Sequence, residues 1–359
     1  MSKKIIFSTG GTGGHIFPAI NLMQHFFDKG YEVLLVTDVR GNNFIKNYSK
    51  FRSHILNTGT PTNKNFLKKI LSLCLIFYSI LKSIIILKKE KPDLVLGFGG
   101  YVSFPISFVS RFFNLPLIIY ENNLVLGRAN RHLISYSKKI LVAKTITKNF
   151  PEKYNSKICH VGSILDKKII NYSTIKKNEY KKDFCILVLG GSQGAEIFGK
   201  VIPPVINMIK NKGYQIEVKQ QCIASQKNFI FDYYKKNNIK NYVFEFDKNI
   251  LDLILYSDLA ITRCGASATA ELVHTLTPFV AVPLPDSIDN HQYLNGKYYE
   301  NKGYCWFLDQ NNFNTNNLFN LLQDVIKNKK KLEDFRENMK KNYSKNVYSK
   351  IENEIKEFI

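Results

Sequence analysis

Residues 5–15 read Ile5-Ile6-Phe7-Ser8-Thr9-Gly10-Gly11-Thr12-Gly13-Gly14-His15. A short β-branched and aromatic run gives way to a loop that is glycine at four of five positions. A helix follows from about His15, its apolar residues recurring through Ala19-Ile20-Asn21-Leu22-Met23. The same device returns at residues 184–194, where Phe184-Cys185-Ile186-Leu187-Val188-Leu189 runs into Gly190-Gly191-Ser192-Gln193-Gly194 and a helix from about Ala195. Two strand–glycine–helix openings in a chain of 359 residues predict two α/β units of similar size.

Outward from these openings, Val33-Leu34-Leu35-Val36, Leu94-Val95-Leu96, Leu117-Ile118-Ile119-Tyr120 and Ile140-Leu141-Val142 predict further strands in the first half. Gln215-Ile216-Glu217-Val218, Tyr242-Val243-Phe244, Leu259-Ala260-Ile261-Thr262 and Pro278-Phe279-Val280-Ala281-Val282 do so in the second. Helical stretches separate them, the alternation expected of parallel sheets. Asn171 to Lys182, rich in Lys and Asn, reads as a linker, and after about residue 312 the chain is charged and helical.

A hydrophobic content of 45% excludes disorder by composition, and the net charge of +22 needs a partner or another origin. Only seven of the 51 basic residues are Arg, the residue that bidentate phosphate or base reading favours. Lys, Asn and Ile are abundant together, as codon bias toward AT-rich sequence would produce. With no helix-turn-helix, zinc-ligand or RNP pattern, no nucleic-acid partner is expected, and an anionic membrane surface or a phosphorylated substrate fits the charge better. The six Cys are scattered without a C-x-x-C, so reduced thiols in a cytoplasmic setting are expected. Met1-Ser2-Lys3-Lys4 leads into an apolar run too short for a signal peptide, so the N-terminus is expected to be a first strand.

Residues 66–91 carry an apolar run from Ile70 to Leu81, but Lys68, Ser72, Ser79, Lys82, Ser83 and Lys89 fall on about one third of a helix circumference. A bilayer-spanning helix would not keep that stripe. Two readings remain: a helix covering one face of the first sheet, or a helix whose surplus apolar surface docks on a bilayer, with Lys68, Lys69 and Lys82 as contacts.

Glycine loops between strand and helix let a ligand approach the backbone, and the helix N-terminus offers N–H groups to an anion. Two such loops suggest diphosphate chemistry in a cleft between domains. Neither loop is followed by Lys-Ser or Lys-Thr, so neither is a P-loop. The dinucleotide fingerprint G-x-G-x-x-G fails at Ile16, although Asp38 as a ribose acceptor keeps a dehydrogenase as an alternative. His15 opens a helix facing the cleft and reads as a general base, or as a capping or packing histidine. Gly97-Phe98-Gly99-Gly100-Tyr101 and Glu121-Asn122-Asn123 both follow strands, where open α/β sheets bind ligands. Small residues from Arg263 to Glu271 open another helix, with Glu271 placed to bond a ribose diol. Pro283 to Asn295 packs polar groups into a post-strand loop. No D-x-D occurs, so a diphosphate leaving group would be neutralised by dipoles, hydroxyls and cations.

Gly10-Gly11-Thr12-Gly13-Gly14-His15-Ile16-Phe17-Pro18, Gly97 to Ser103, Gly190 to Ala195 and the segments around Arg263 and Gln292 closely resemble the MurG family, in its order and over nearly the whole chain. The resemblance implies an α/β fold of GT-B type, two Rossmann-like parallel-sheet domains with a cleft between them. Residues 1–162 are expected as the acceptor and membrane-facing domain and 163–340 as the UDP-GlcNAc domain, with a C-terminal helix in 341–359 packing back on the first. It further implies an inverting transferase that moves GlcNAc from UDP-GlcNAc onto the 4-hydroxyl of the muramyl sugar of undecaprenyl-linked lipid I. The products are lipid II, for peptidoglycan, and UDP. The expected location is the cytoplasmic face of the cell membrane, and no metal or other cofactor is expected.

In the resemblance His15 is the base, with Glu121 as helper or substitute, and Thr12, Gly13, Gly14 and Asn123 face donor sugar and acceptor. Ser192 and Gln193 lie by the diphosphate. Arg263, Gly265, Ala266, Ser267, Ala268, Thr269, Ala270 and Glu271 surround the nucleotide, and Gln292 and Asn295 reach the sugar. The chain departs from the family in having Gly162-Ser163-Ile164-Leu165-Asp166 for G-N-P-V-R, Glu121-Asn122-Asn123 for E-Q-N and Arg263-Cys264-Gly265-Ala266 for R-S-G-A. Lys167 or Lys168 would stand in for the missing arginine, and Asp247 would replace an apolar neighbour of the uracil. Alternatives are an epimerase or another GT-B enzyme using UDP-GlcNAc, or a nucleotide-sugar binding protein without catalysis.

Overall fold

The computed structural model describes residues 2–45, 50–59, 66–145, 150–172, 182–191, 194–341 and 346–359, without the side chains of Phe66, Lys68 and Tyr172. Most of the expected linker, and Ser192 and Gln193, lie outside the described residues. The chain divides into one unit of Met1–Asp166 with Ser344–Ile359 and a second of Lys167–Tyr343. The division falls after Asp166 rather than Gly162 because the intervening residues are tied to the first unit. The Tyr120 hydroxyl accepts from the Ile164 N–H at 3.1 Å, and the Tyr348 hydroxyl donates to the Leu165 carbonyl at 2.6 Å.

The first unit runs β1 (Lys4–Ser8), α1 (Gly13–Asp28), β2 (Glu32–Thr37), α2 (Val39–Ile45), β3 (Arg52–Ile55), α3 (Phe66–Glu90), β4 (Leu94–Gly97), α4 (Ser103–Ser110), β5 (Leu117–Glu121), α5 (Arg128–Leu133), β6 (Lys139–Val142) and β7 (Ile158–His160). Its seven strands, in the order β3-β2-β1-β4-β5-β6-β7, pair in parallel throughout.

The second unit runs α6 (Lys167–Tyr172), β8 (Phe184–Leu189), α7 (Glu196–Asn211), β9 (Ile216–Gln221), α8 (Lys227–Lys236), β10 (Lys240–Phe244), α9 (Ile250–Tyr256), β11 (Leu259–Thr262), α10 (Ala266–His274), β12 (Phe279–Ala281), α11 (His291–Asn301), β13 (Cys305–Phe307), α12 (Thr315–Lys327) and α13 (Lys329–Lys341). Its order is β10-β9-β8-β11-β12-β13, again parallel. Central strands buried on both faces need unbroken apolar runs, which is why β1 and β8 stood out in the sequence. The strands not anticipated, β3, β7 and β13, all lie at sheet edges and are only three or four residues long.

A last helix, α14 (Val347–Ile355), belongs to the first unit. Val347, Ile351 and Ile355 are fully buried, Glu352 pairs with His25 and, at 2.7 Å, with Lys29, and Lys139 holds Glu354 at 2.9 Å.

Helix α3 covers one face of the first sheet, Ile86 and Leu87 buried in its core with Ile80 and Ile84 packed against them, but it leaves much of its apolar surface outside. Its serine stripe, Ser72, Ser79 and Ser83, is buried, whereas Leu67, Leu71, Phe77, Tyr78 and Ile85 are more than half exposed. Ser79 donates to the Asn57 carbonyl at 2.9 Å and Ser83 to the Ser79 carbonyl at 2.6 Å, so the small hydroxyls meet their needs inside. Lys82 also turns inward, donating to the Ile55 carbonyl at 2.8 Å, which removes it from the expected membrane contacts. Lys69 is exposed, and the Lys68 side chain lies outside the description.

At the C-terminal end of α3, Glu90 is 4% exposed and gathers Lys4 at 3.2 Å, Arg52 at 2.9 Å and His54 at 3.0 Å. Residues 69–90 are long and apolar enough to cross a bilayer, an 18-residue window within them having a mean hydropathy of 2.4, yet the ion cluster and the buried serines tie the helix to the sheet.

Candidate functional site

In the first sheet the chain reverses direction of growth between β1 and β4, the switch point at which open α/β sheets leave a crevice above the strand ends. The two loops at that point pack backbone on backbone. The Gly10 N–H donates to the Gly99 carbonyl at 3.0 Å, and a Cβ on Gly100 would lie 2.9 Å from the Gly10 Cα. Gly99 and Gly100 have φ of +85° and +79°, so this approach requires glycine twice over.

The His15 ring lies against them, its Cε1 being 3.1 Å from where a Gly99 Cβ would be. Thr12 is exposed at the N-cap of α1, its side chain making no cap bond, while Gly13, Gly14 and His15 are partly open. Gly14 differs from the loop glycines: nothing lies within 4 Å of its missing Cβ, so the fold does not need the space it leaves.

Asn123 is partly open beside this region, but Glu121 is 1% exposed and both its oxygens are engaged. Oε1 accepts from the Asn123 N–H and Nδ2 at 3.0 and 3.2 Å, and Oε2 from the Gly127 N–H and Asn130 Nδ2 at 2.9 and 3.0 Å. That corrects the expectation of Glu121 as a helper base: it holds the loop after β5. Asp38 is likewise committed, accepting from the Gly41 N–H at 2.8 Å and from Arg40 at 2.9 Å, which removes the ribose acceptor a dehydrogenase would need.

The second sheet has its switch point between β8 and β11. Gly190 and Gly191 follow β8, and Gly265 opens α10 with an ordinary φ of −67° and open space where its Cβ would be. Ser267, Ala268 and Glu271 form the accessible side of α10, whereas Ala266, Thr269 and Ala270 face the core. The Thr269 hydroxyl donates back to the Gly265 carbonyl at 2.9 Å.

Arg263 is 8% exposed and donates to the Val282 and Pro283 carbonyls at 3.3 and 3.1 Å and to Gln310 at 2.7 Å, with its guanidinium 4.9 Å from the Phe198 ring centre. Burial pushes its pKa down. Asn295 is fully buried and donates to the Cys264 carbonyl at 3.1 Å. These four, Arg263, Ala266, Thr269 and Asn295, with Ala270, are therefore structural supports and not side chains presented to a ligand. Gln292 does both: its Oε1 accepts from the Cys264 and Leu284 N–H groups at 3.2 and 3.1 Å, joining two loops, and the residue stays partly open.

The N-terminal domain model of glycosyltransferase family 28 matches residues 5–142, and its C-terminal domain model matches 185–354. A protein of Pelagibacter ubique named UDP-N-acetylglucosamine–N-acetylmuramyl-(pentapeptide) pyrophosphoryl-undecaprenol N-acetylglucosamine transferase is 35% identical over 98% of this chain and 97% of its own length. One of the same name from Rickettsia canadensis is 37% identical over 94% of this chain and 95% of its own. The chain belongs to the MurG family. Its fold matches the crystal structure of Acinetobacter baumannii MurG with a TM-score of 0.79 at 23% identity over 99% of both chains, which places the two parallel-sheet units in the GT-B class.

Two of the positions singled out in the sequence, Cys264 and Asp247, are held by local hydrogen bonds. Cys264 is fully buried, its backbone gripped on both sides by Gln292 and Asn295. Asp247 accepts from the Tyr242 hydroxyl at 2.8 Å and the Asn249 N–H at 2.7 Å, and the first of these bonds, then burial, raises the Tyr242 pKa. Asp166 is exposed at the end of the first unit.

Proposed function

We propose that this MurG-family chain transfers GlcNAc from UDP-GlcNAc to the 4-hydroxyl of the muramyl sugar of lipid I. The supporting observation is that identity to relatives carrying that full name extends over both units and nearly the whole of each chain. The reaction suits the groups at the two switch points. The acceptor hydroxyl oxygen attacks the anomeric carbon and its proton passes to His15. The bond from that carbon to the diphosphate oxygen breaks, and UDP leaves with the electron pair, so the sugar inverts from α to β. The N-terminus of α10 at Gly265 and the glycines after β8 supply N–H dipoles for the diphosphate, and Glu271 accepts from the ribose. Purified protein incubated with UDP-GlcNAc and a lipid I analogue should release UDP only when both are present. Release without acceptor would point to hydrolysis, and consumption of donor without UDP to an epimerase.

The same reading places the enzyme on a membrane through α3. The C-terminal end of α3 borders a groove of about 330 Å³ lined by Leu87, Lys88, Lys91, Pro92, Phe113 and Leu115. Arg111 lies over the Tyr136 and Phe112 rings at 4.1 and 5.1 Å, and Phe112 is 65% exposed. Apolar side chains fringed by Lys69, Lys88 and Lys91 suit an anionic bilayer surface. Phe77→Ser with Leu71→Ser should abolish co-sedimentation with anionic vesicles while leaving thermal stability unchanged; Lys82→Glu should cost stability instead. Unaltered sedimentation of the serine variant would remove α3 from the membrane.

A further inference from the structure

Glu121 sits where four N–H donors converge, two on each oxygen, in a site 1% exposed. A base must point a lone pair at the proton it removes, within about 3 Å. Here the lone pairs are directed at Asn123, Gly127 and Asn130. Only a carboxylate accepts at both oxygens; a glutamine would set its NH2 against two of the donors whichever way it turned.

Asn130 extends the arrangement. It is 1% exposed, and its Nδ2 donates to the Tyr120 carbonyl at 3.2 Å as well as to Glu121. The same Nδ2 lies 3.5 Å from where a Gly99 Cβ would be, the point that is 3.1 Å from the His15 Cε1, so Asn130 and the His15 ring flank Gly99.

We propose that Glu121 and Asn130 are positioning residues: together they clamp the loop of residues 122–127 and fix the orientation of the Asn123 amide toward the acceptor sugar. Asn123 presents its NH2 to the Glu121 carboxylate, so Glu121 sets which way that amide faces. Asn130 transmits the clamp to the Gly99 wall on which His15 rests. The proposal rests on the transferase reading for its substrate, while the clamp itself stands on the bonds above.

The experiment has two arms. In the first, kcat and KM are measured for UDP-GlcNAc and a lipid I analogue, across neutral pH, in Glu121→Gln, Asn123→Ala, their double variant and Asn130→Ala. Glu121→Gln and Asn123→Ala should each lower kcat/KM for the acceptor about tenfold or more, with the donor KM within about twofold. The double variant should be no worse than the worse single one, and the acid limb of the pH profile should persist. Multiplying losses, or disappearance of that limb in Glu121→Gln, would overturn the positioning role in favour of a base.

In the second arm, hydrogen exchange of residues 122–127 is followed without substrate, and should quicken in Glu121→Gln and Asn130→Ala. Unchanged exchange would refute the clamp whatever the kinetics. If wild-type protein released no UDP, the transferase reading would fail while this arm still decided the clamp.

Discussion

The two switch points stand at equivalent places in their sheets and use the same device, yet they distribute polar side chains differently. Above β1 and β4 one buried carboxylate, Glu121, does the holding, so Thr12, His15 and Asn123 stay at the surface. Above β8 and β11 the holding falls to Arg263, Asn295 and the Gln292 oxygen, and what stays partly open is the side of α10 carrying Ser267, Ala268 and Glu271, with Gln292 itself. A polar residue after a strand is thus either a support or a presented group, and its neighbours decide which.

The largest effect that would test this contrast is on rate. His15→Ala should lower kcat by about 100- to 10,000-fold, the range for a general base, with thermal stability and donor KM little changed. A variant with undiminished turnover would make His15 another support. Arg263→Ala should show the reverse partition. It leaves the Val282 and Pro283 carbonyls without their donor in a site 8% exposed, so unfolding free energy should fall by about 3 kcal/mol in a denaturant titration. Under conditions where the variant is folded, its donor KM should stay close to wild type; a large rise would return Arg263 to the ligand.

The strands, their parallel order and the four-glycine loop were legible because central strands must be apolar on both faces and because glycine density has few other uses. The direction of polar residues was not. The serine–lysine stripe of α3 was legible, but not that its serines and Lys82 pack inward, where Ser79 and Lys82 find backbone acceptors. Arg263 and Asn295 looked like ligand contacts because core packing rarely needs such residues, but loops between short strands have carbonyls to satisfy. Asn130 gave no signal at all: its partners lie on β5 and the sequence does not show that it faces Gly99.

Next in size is an effect at the other ends of the strands. Glu90 binds Lys4 and Arg52, the first residues of β1 and β3, together with His54. Burial pushes its pKa up, but hydrogen bonds from His54 and Lys4 and the charges of Arg52 and Lys4 outweigh it and hold the carboxyl below its usual value. A depressed folded-state pKa gives stability that is complete above the unfolded value and is lost as pH falls through the folded one. Glu90→Gln should therefore cost about 2–3 kcal/mol at neutral pH, at the low end for a buried pair because Arg52 is 60% exposed. The gap from wild type should narrow on acidification in Tm measurements, with kcat unaffected. A gap that stayed constant with pH would mean that packing, not the ion cluster, carries the loss.

The smallest effect divides fold from ligand most sharply. Gly14 lies in the first turn of α1, and a Cβ there would meet no atom within 4 Å. If glycine at this position served the fold, alanine would destabilise. If it serves a ligand approaching the helix N-terminus, alanine should raise stability by about 0.5 kcal/mol, since it is the better helix former and nothing obstructs it. The same methyl group would stand where substrate must come close, so kcat/KM should drop even as Tm rises slightly. Gly100→Ala is the matched control, because its φ of +79° and the 2.9 Å approach to Gly10 make it a fold glycine, and there stability and activity should fall together. Opposite signs of ΔTm at two glycines of one crevice, with activity reduced at both, would separate room left for a ligand from room required by the backbone. A loss of stability at Gly14 would instead put all of the glycine loop to structural use and leave the open crevice above β1 without its main support.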